Sequence, residues 1–319
     1  MTPVDVVLIG RNEGARLIAG LASVAGQARQ IVYVDSGSTD TSCAEAKAIG
    51  AKVVDLDMSV PFTAARARNA GFDALDDPQI VLFIDGDCTL APGFLDKARD
   101  HLLEHPGHGL VTGWRSEIHR DASLYNQLCD WEWHRPAGII AACGGDMMVR
   151  ASVWSELGGM DATVIAAEDD EFCTRMSKAG WVLERLPIDM TRHDANMLRF
   201  GQWWRRAERT GHGFAQVGYL HPDYFVTERK RVLVYGLVLP VLFSIGLFTT
   251  LWLSLLVGAL YLMNYLRTAQ GLRRDNLPKA EAFRHAVLLT LSKLPNLIGM
   301  ARFHLRRLRG ADMRIIEYK

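Results

Sequence analysis

From Val232 to Leu266 the chain runs 35 residues without a charged side chain. A single helix of that length would extend about 52 Å, well beyond a hydrocarbon core of about 30 Å. Two helices of about 16 residues fit that thickness better, with a turn near Phe248-Thr249-Thr250. Arg229-Lys230-Arg231 precede the run, and Arg267, Arg273 and Arg274 follow it. Basic flanks at both ends predict a transmembrane hairpin over 232–266 with both ends cytoplasmic. A tilted or Pro240-kinked single span, or a re-entrant pair, would use the same residues. Further on, Leu294, Leu297, Ile298, Ala301, Leu305 and Leu308 share one helical face while Arg302, Arg306 and Arg309 occupy another. That pattern predicts an interfacial amphipathic helix within 282–309. An ordinary surface helix would show a similar stripe.

Charge is divided along the chain. Residues 229–319 carry 15 Lys/Arg against 4 Asp/Glu, and the preceding residues carry 21 against 32. The basic end suits an anionic membrane surface. The acidic part would repel a nucleotide unless a cation intervened, and no nucleic-acid recognition motif accompanies the basic stretch. Five cysteines without a CxxC or Cys/His cluster read as reduced thiols. Met1-Thr2-Pro3-Val4-Asp5 lacks the basic start and apolar core of a signal peptide. The expected location is therefore the inner (plasma) membrane, with the N-terminal domain cytoplasmic.

The first 90 residues alternate between short apolar runs and helical periodicity. Strands are expected over Val4–Ile9, Ile31–Val34, Lys52–Leu56 and Ile80–Ile84, with helices between them. This is the signature of a Rossmann-like, mostly parallel α/β sheet. The last of these runs, Val81-Leu82-Phe83-Ile84, passes directly into Asp85-Gly86-Asp87. Open α/β sheets bind ligands at the carboxyl ends of their strands. Two aspartates there make a hard oxygen site suited to Mg²⁺ or Mn²⁺ carrying a diphosphate. An Asp-Gly turn at a strand end would give the same letters.

Other constellations fall at matching positions. Arg11-Asn12-Glu13 follows the first strand, and Asp35-Ser36-Gly37-Ser38-Thr39-Asp40 the second. Asp35 could accept from a base ring N–H or from ribose hydroxyls, although βα loops favour such turn residues in any case. Arg66 and Arg68 lie near a helix start, where a phosphate could be held. Glu168-Asp169-Asp170-Glu171 opens a helix. Four acids exceed what the helix dipole needs, and like charges raise one another's pKa, which is one way to make a general base. His193 is a candidate third metal ligand or a surface histidine. A G-x-S-x-G elbow, a Walker loop and a strand-linked G-x-G-x-x-G are all missing, which disfavours serine hydrolases, P-loop enzymes and simple dehydrogenases.

In this order, Ile9-Gly10-Arg11-Asn12-Glu13, Val34–Asp40, Ala67–Gly71, Asp85-Gly86-Asp87, Gly158-Gly159-Met160-Asp161 and Glu168-Asp169 resemble the family 2 glycosyltransferases with the GT-A fold, over about residues 3–220. The resemblance implies a catalytic domain over 1–222 and a membrane-associated helical region over 223–319. It also implies inverting sugar transfer from a UDP- or GDP-sugar. Asp35, Glu13 and Arg68 would contact the nucleotide. Asp85 and Asp87 would hold the divalent cation (Mg²⁺ or Mn²⁺) and the diphosphate, and Asp169 would be the base. Ser36 stands where the family often has a second aspartate, and Asp170-Glu171 replaces a commoner apolar-Asp pair, so Glu168 and Asp170 stay open as the base. Gln202-Trp203-Trp204-Arg205-Arg206 resembles the processive synthases only loosely. The expected acceptor is thus a lipid-linked glycan of cell-surface polysaccharide synthesis. A polyprenyl-phosphate sugar transferase and a non-enzymatic membrane scaffold are the alternatives.

Overall fold

Val4–Gly10 (β1) is apolar except for Asp5, and a strand without a polar face has to be covered on both sides. A computed structural model describes residues 2–317. In it β1 is followed by helix Ala15–Val24 (α1), strand Ile31–Asp35 (β2), helix Ser42–Ala48 (α2), strand Lys52–Asp55 (β3), helix Ala64–Asp73 (α3) and strand Ile80–Asp85 (β4). The four strands are parallel in the order β3-β2-β1-β4. Leu17 and Leu21 of α1 pack with Val6, Leu8 and Tyr33 on one face of the sheet; Ala65 and Ala67 of α3 pack with Val7, Val32 and Val34 on the other. Asp5 is fully buried and is matched by the Arg29 guanidinium at 2.8 and 2.6 Å.

After β4 the chain forms Cys88–Leu90 (β5), Phe94–Glu104 (α4), His108–Glu117 (β6), Leu124–Trp133 (α5), Gly138–Ile139 (β7), Met147–Arg150 (β8), Ala151–Glu156 (α6), Glu168–Lys178 (α7) and Val182–His193 (β9). The sheet continues as β4-β8-β6-β9-β5, with β7 also on β9. The β8 pairings are antiparallel, and β6 runs parallel to β9. Strand β9 runs over twelve residues although it contains Pro187, which cannot donate to a ladder. The strand survives because its register with β6 jumps from Thr112↔Arg185 to Trp114↔Asp189, a bulge that takes the proline out of the pairing.

Apart from the first half of α5, these strands and helices form one compact unit, comprising the residues up to Ala122, Cys129–Asn196 and Met313–Ile315. A second unit contains Ser123–Leu128 and Met197–Asp312. It holds Phe200–Leu220 (α8), Val226–Leu233 (α9), a π-helical turn over Val234–Val238, Leu239–Phe248 (α10), Leu251–Arg274 (α11), Lys279–Leu291 (α12) and Lys293–Leu308 (α13). The units divide at Asn196–Met197 and not at the expected residue 222, because α8 packs on α13. A Cβ on Gly211 would lie 2.0 Å from the Asn296 carbonyl oxygen, and one on Gly299 would lie 1.9 Å from that of Glu208. Two glycines therefore let the helix backbones touch.

The segment from α9 to α10 is continuous over Val226–Phe248 and is the single helix, among the described residues, that is long and apolar enough to cross a membrane. The π-helical turn precedes Pro240, which keeps the helix going where an intrahelical donor is missing. The chain reverses at Thr249-Thr250 into α11. Gly246 meets Ser254 across this hairpin, and the Ser254 hydroxyl donates to the Phe243 carbonyl at 2.8 Å. The expected single helix over 282–309 is two helices, α12 and α13, separated at Ser292. The α13 face against α8 is Asn296, Gly299, Met300 and Phe303, whereas Leu294, Ile298, Leu305 and Leu308 point outward.

In the sheet unit, α3 approaches β1 most closely at Gly71, where a Cβ would lie 2.3 Å from Val7 Cγ1 and 3.0 Å from Val34 Cγ2. Gly71→Ala should lower stability by about 1–3 kcal/mol through overpacking, read as a fall in melting temperature. Val7→Ala in the same chain should restore part of it. A Gly71→Ala protein with the wild-type melting temperature would show that α3 does not sit this tightly.

Candidate active site

The parallel register brings the carboxyl ends of three strands level: Gly10 pairs with Asp35, and Ile9 with Asp85. The loops beyond them are tied together. Asn12, at φ 56°, donates its N–H to Ser38 Oγ (2.8 Å), and its side-chain oxygen accepts from the Thr39 N–H (2.8 Å). Gly86 seats the next loop against the first: its N–H donates to the Ile9 carbonyl at 2.7 Å. A Cβ there would meet that oxygen at 3.0 Å and Glu13 Cγ at 3.3 Å. The glycine between the aspartates is thus set by close approach to β1 and Glu13.

Asp35 is buried, with Oδ1 accepting from the Tyr33 hydroxyl (2.8 Å) and Oδ2 from the N–H groups of Gly37 (2.9 Å) and Ser38 (2.7 Å). Burial alone would raise its pKa; the hydrogen bonds from Ser38 and Tyr33 more than reverse this and keep it low. Asp35 is therefore a rigid anion at the strand edge. Glu13 lies beside it in the first loop, 2.8 Å from Arg16.

Arg68 lies elsewhere than a phosphate-holding role would require. It is 1 % exposed. Its guanidinium joins Asp85 Oδ1 (2.8 Å) to Glu168 Oε1 (2.9 Å). Arg66 is likewise occupied, by the carbonyls of Asp57, Val60 and Pro61. Both arginines expected to meet phosphate instead bind protein oxygens.

The other oxygen of Asp85 is 3.1 Å from Arg115 of β6, which also reaches Asp146 Oδ1 at 2.6 Å. Asp146 accepts from the Thr191 hydroxyl at 2.5 Å and from the Asp85 N–H at 3.2 Å. Burial would push Asp85 up; Arg68 and Arg115 outweigh it and hold the carboxyl below its ordinary value. Both oxygens of Asp85 face arginines, so it is poorly placed to be the principal ligand of a cation. Gly145, at φ 99°, lies over this network, where a Cβ would sit 3.5 Å from both arginines.

Asp87 differs. Strand β5 pairs with β9 so that Cys88 lies opposite His193. This brings His193 Nε2 to 3.1 Å from Asp87 Oδ2. On its far side His193 Nδ1 is 3.7 Å from Glu117, and the edge of Trp133 packs against the ring at 4.7 Å. Burial would depress the imidazole; Asp87 and Glu117 more than compensate and raise its pKa. A carboxylate and an imidazole, with a second carboxylate behind the imidazole, form a donor set that fits a divalent cation in place of the shared proton.

Helix α7 begins after Ala167, a non-glycine residue in the left-handed region (φ 59°, ψ 34°). The turn separates its acids. Glu168 is buried on Arg68, and Glu171 is buried on Arg175 at 2.7 Å. Asp169 is half-buried, and its Oδ2 accepts the Gly144 N–H at 2.8 Å. Burial and the neighbouring Glu168 charge raise its pKa despite Arg68. A raised, accessible carboxylate beside a buried, paired one is the arrangement a general base requires. Sequence reasoning missed Arg115, Glu117, Asp146 and Thr191. For Arg115 and Glu117 the available signal was a charged pair within the strand pattern of Gly109–Ile118.

Comparison with known proteins agrees with this architecture. Curated relatives from Mycobacterium tuberculosis described as pre-mycofactocin glycosyltransferase are 26% identical over 170 residues, half of this chain. The chain spans about a third of their length (36%). Among solved structures, a mannosyltransferase from Pyrobaculum calidifontis, in complex with GDP-Man and Mn²⁺, superposes with TM-score 0.60 and 17% identity over 95% of this chain and 88% of its own. Glucosyl-3-phosphoglycerate synthase from Mycobacterium tuberculosis gives TM-score 0.52 and 20% identity over 68% and 79% of the two chains. The Glycosyl transferase family 2 model matches residues 5–141, and that of Glycosyl transferase family group 2 matches residues 80–291, two thirds of the chain. The chain belongs to the family 2 glycosyltransferases.

Proposed function

We propose that the protein transfers a sugar from a nucleotide-diphosphate sugar, a UDP- or GDP-sugar, to a hydroxyl of an acceptor presented at a membrane. The observation that carries this reading is Arg68, which joins the strand-end Asp85 to the acid-rich start of α7. One buried cation thereby brings a diphosphate end and a proton-accepting end into one site. That mannosyltransferase is bound to GDP-Man and Mn²⁺, and the synthase to UDP-Glc and Mn²⁺. These complexes support a nucleotide-sugar donor and a divalent cation here.

Asp87 and His193 would hold the cation, with Glu117 orienting the imidazole. When bound, the cation would draw negative charge off the departing nucleoside diphosphate. Asp85, fixed by Arg68 and Arg115, would keep the strand end in place beside the donor. Asp35 and Glu13 line the base and ribose side. Asp169 takes the proton from the attacking hydroxyl, and attack opposite the leaving group inverts the anomeric carbon. Glu168 is bound to Arg68, so it positions Asp169 and leaves the proton transfer to its neighbour.

The acceptor reading rests on the helical unit. It has one helix apolar and long enough to span a bilayer, a basic balance, and an outward leucine face on α13. These features support attachment to the inner face of the plasma membrane, where a polyprenyl-linked glycan would present its sugar at high effective concentration.

Asp169→Asn should reduce transfer by about 10²–10⁴-fold, the range for a general base, while donor affinity in a titration stays near wild type. Retained turnover would indicate a phosphate acceptor, which needs no base. Because the Asp169 pKa is raised, activity should fall with acid at a pH above the ordinary carboxylate range. Glu168→Gln removes the like charge and should move that limb to lower pH. A kcat profile that does not move would exclude the Glu168–Asp169 coupling. Asp87→Ala should abolish Mn²⁺-dependent donor binding, measured by calorimetry with and without the metal; undiminished affinity would refute the cation site.

A further inference from the structure

At the opposite end of β9 from His193, a second group of side chains converges that sugar transfer does not use. His101, in the last turn of α4, His108, at the start of β6, and Glu184 of β9 meet around a single carboxylate oxygen. His101 Nε2 and His108 Nε2 each lie 2.9 Å from Glu184 Oε2. The three ligand atoms all fall within 4.8 Å of one another. His105, between them in sequence, stacks on His101 at 4.2 Å and lies 5.1 Å from His108. Its Nδ1 contacts the His101 carbonyl at 2.9 Å. A carbonyl can only accept, so His105 Nδ1 is the donor.

A network of protons explains this cluster poorly. A carboxylate oxygen can accept from two imidazole N–H groups, but only His101 is aligned with it here. His108 Nε2 is buried and, despite its 2.9 Å separation from Glu184, makes no aligned hydrogen bond. A metal ion asks only that the three lone pairs converge. We propose that His101, His108 and Glu184 form a second metal site, selective for Zn²⁺ or a similar borderline cation over Mg²⁺. Two imidazoles and one carboxylate are the donors such ions prefer, while Mg²⁺ favours all-oxygen sets. Three protein ligands leave a fourth position for water. Arg150 is the nearby positive group; its guanidinium is turned to the carbonyls of Leu102, His105 and His108, and so orders the α4–β6 turn from its other side.

The site is independent of the transfer reaction. Glu184 and His193 are nine residues apart on β9, about 30 Å along an extended strand. The role is structural: the ion clamps the α4–β6 turn onto the strand whose far end supplies His193.

Equilibrium dialysis of the full, tag-free chain with Zn²⁺ in excess Mg²⁺ tests this. Wild type should bind one more equivalent of zinc than His101→Ala/His108→Ala, and His193→Ala should keep that equivalent. Glu184→Gln, nearly isosteric, should weaken zinc by more than about 10-fold, beyond the lower range for loss of an outer-shell partner, and should lose the zinc-dependent rise in melting temperature. Should the double variant fail to fold, Glu184→Gln decides alone. Equal zinc uptake by wild type and these variants, or no uptake by wild type, would overturn the site. Mn²⁺-dependent donor binding should be the same in wild type and Glu184→Gln, which separates this test from that of the transfer site.

Discussion

The link between β4 and α7 at the candidate active site depends on keeping Arg68 buried and charged. A guanidinium 1 % exposed is tolerable only if its charge is met inside the protein. Asp85 and Glu168 meet it, from positions 17 and 100 residues away in sequence. Removing either partner would leave an uncompensated buried charge at about 3–5 kcal/mol. The ion pair therefore welds the end of β4 to the start of α7. Arg115 does the same from β6, joining Asp85 to Asp146. The sheet edge becomes a lattice of alternating charges that cannot rearrange one member at a time.

That lattice divides the work between adjacent acids. Asp85 and Asp87 are separated by a single glycine, yet one is held by two arginines and the other is left to a histidine. Glu168 and Asp169 are consecutive, yet one neutralises Arg68 and the other faces a backbone N–H of the Gly144 loop. In each pair the first acid is held by arginine, and under the proposed reaction the second would do the chemistry. The opposite pKa directions of Asp85 and Asp169 follow from this. Arginines outweigh burial at Asp85; burial and a like charge win at Asp169.

The parallel half of the sheet was legible because its strands are uninterrupted apolar runs, and the carboxylates were legible because they follow those runs directly. The groups that balance them were not. Arg115, Asp146 and Thr191 become partners only through the order β8-β6-β9, which no local pattern encodes. Pro187 hid the second half of β9, and β5 is too short to announce itself. His193 could be nominated from Arg192-His193-Asp194, but its neighbour Asp87 appears only when Cys88 is paired opposite it. Arg68 was legible as an arginine near the site, but its protein partners were not. Proximity to a helix start suggested a ligand, whereas burial made it a strut.

The helical unit follows a different logic, in which small residues set the packing and large ones face outward. Gly211, Gly299, Gly236 and Gly246 each sit where a Cβ would strike a neighbouring helix. Phe248 at 89 % exposure, Trp252 at 80 % and Leu308 at 80 % have no such neighbours. Close backbone contact through small residues is how helices associate where water supplies no driving force. The uncharged parts of the hairpin legs, residues 232–248 and 251–266, extend about 26 and 24 Å as helices. Each falls a little short of a hydrocarbon core of about 30 Å. The arginines at both open ends of the hairpin have long apolar stems that can cover the difference while their charges remain at the headgroups. In the proposed membrane attachment the basic open ends of the hairpin would lie at one face with its apolar tip directed away from it, and the outward leucines of α13 would add a shallower contact at that face.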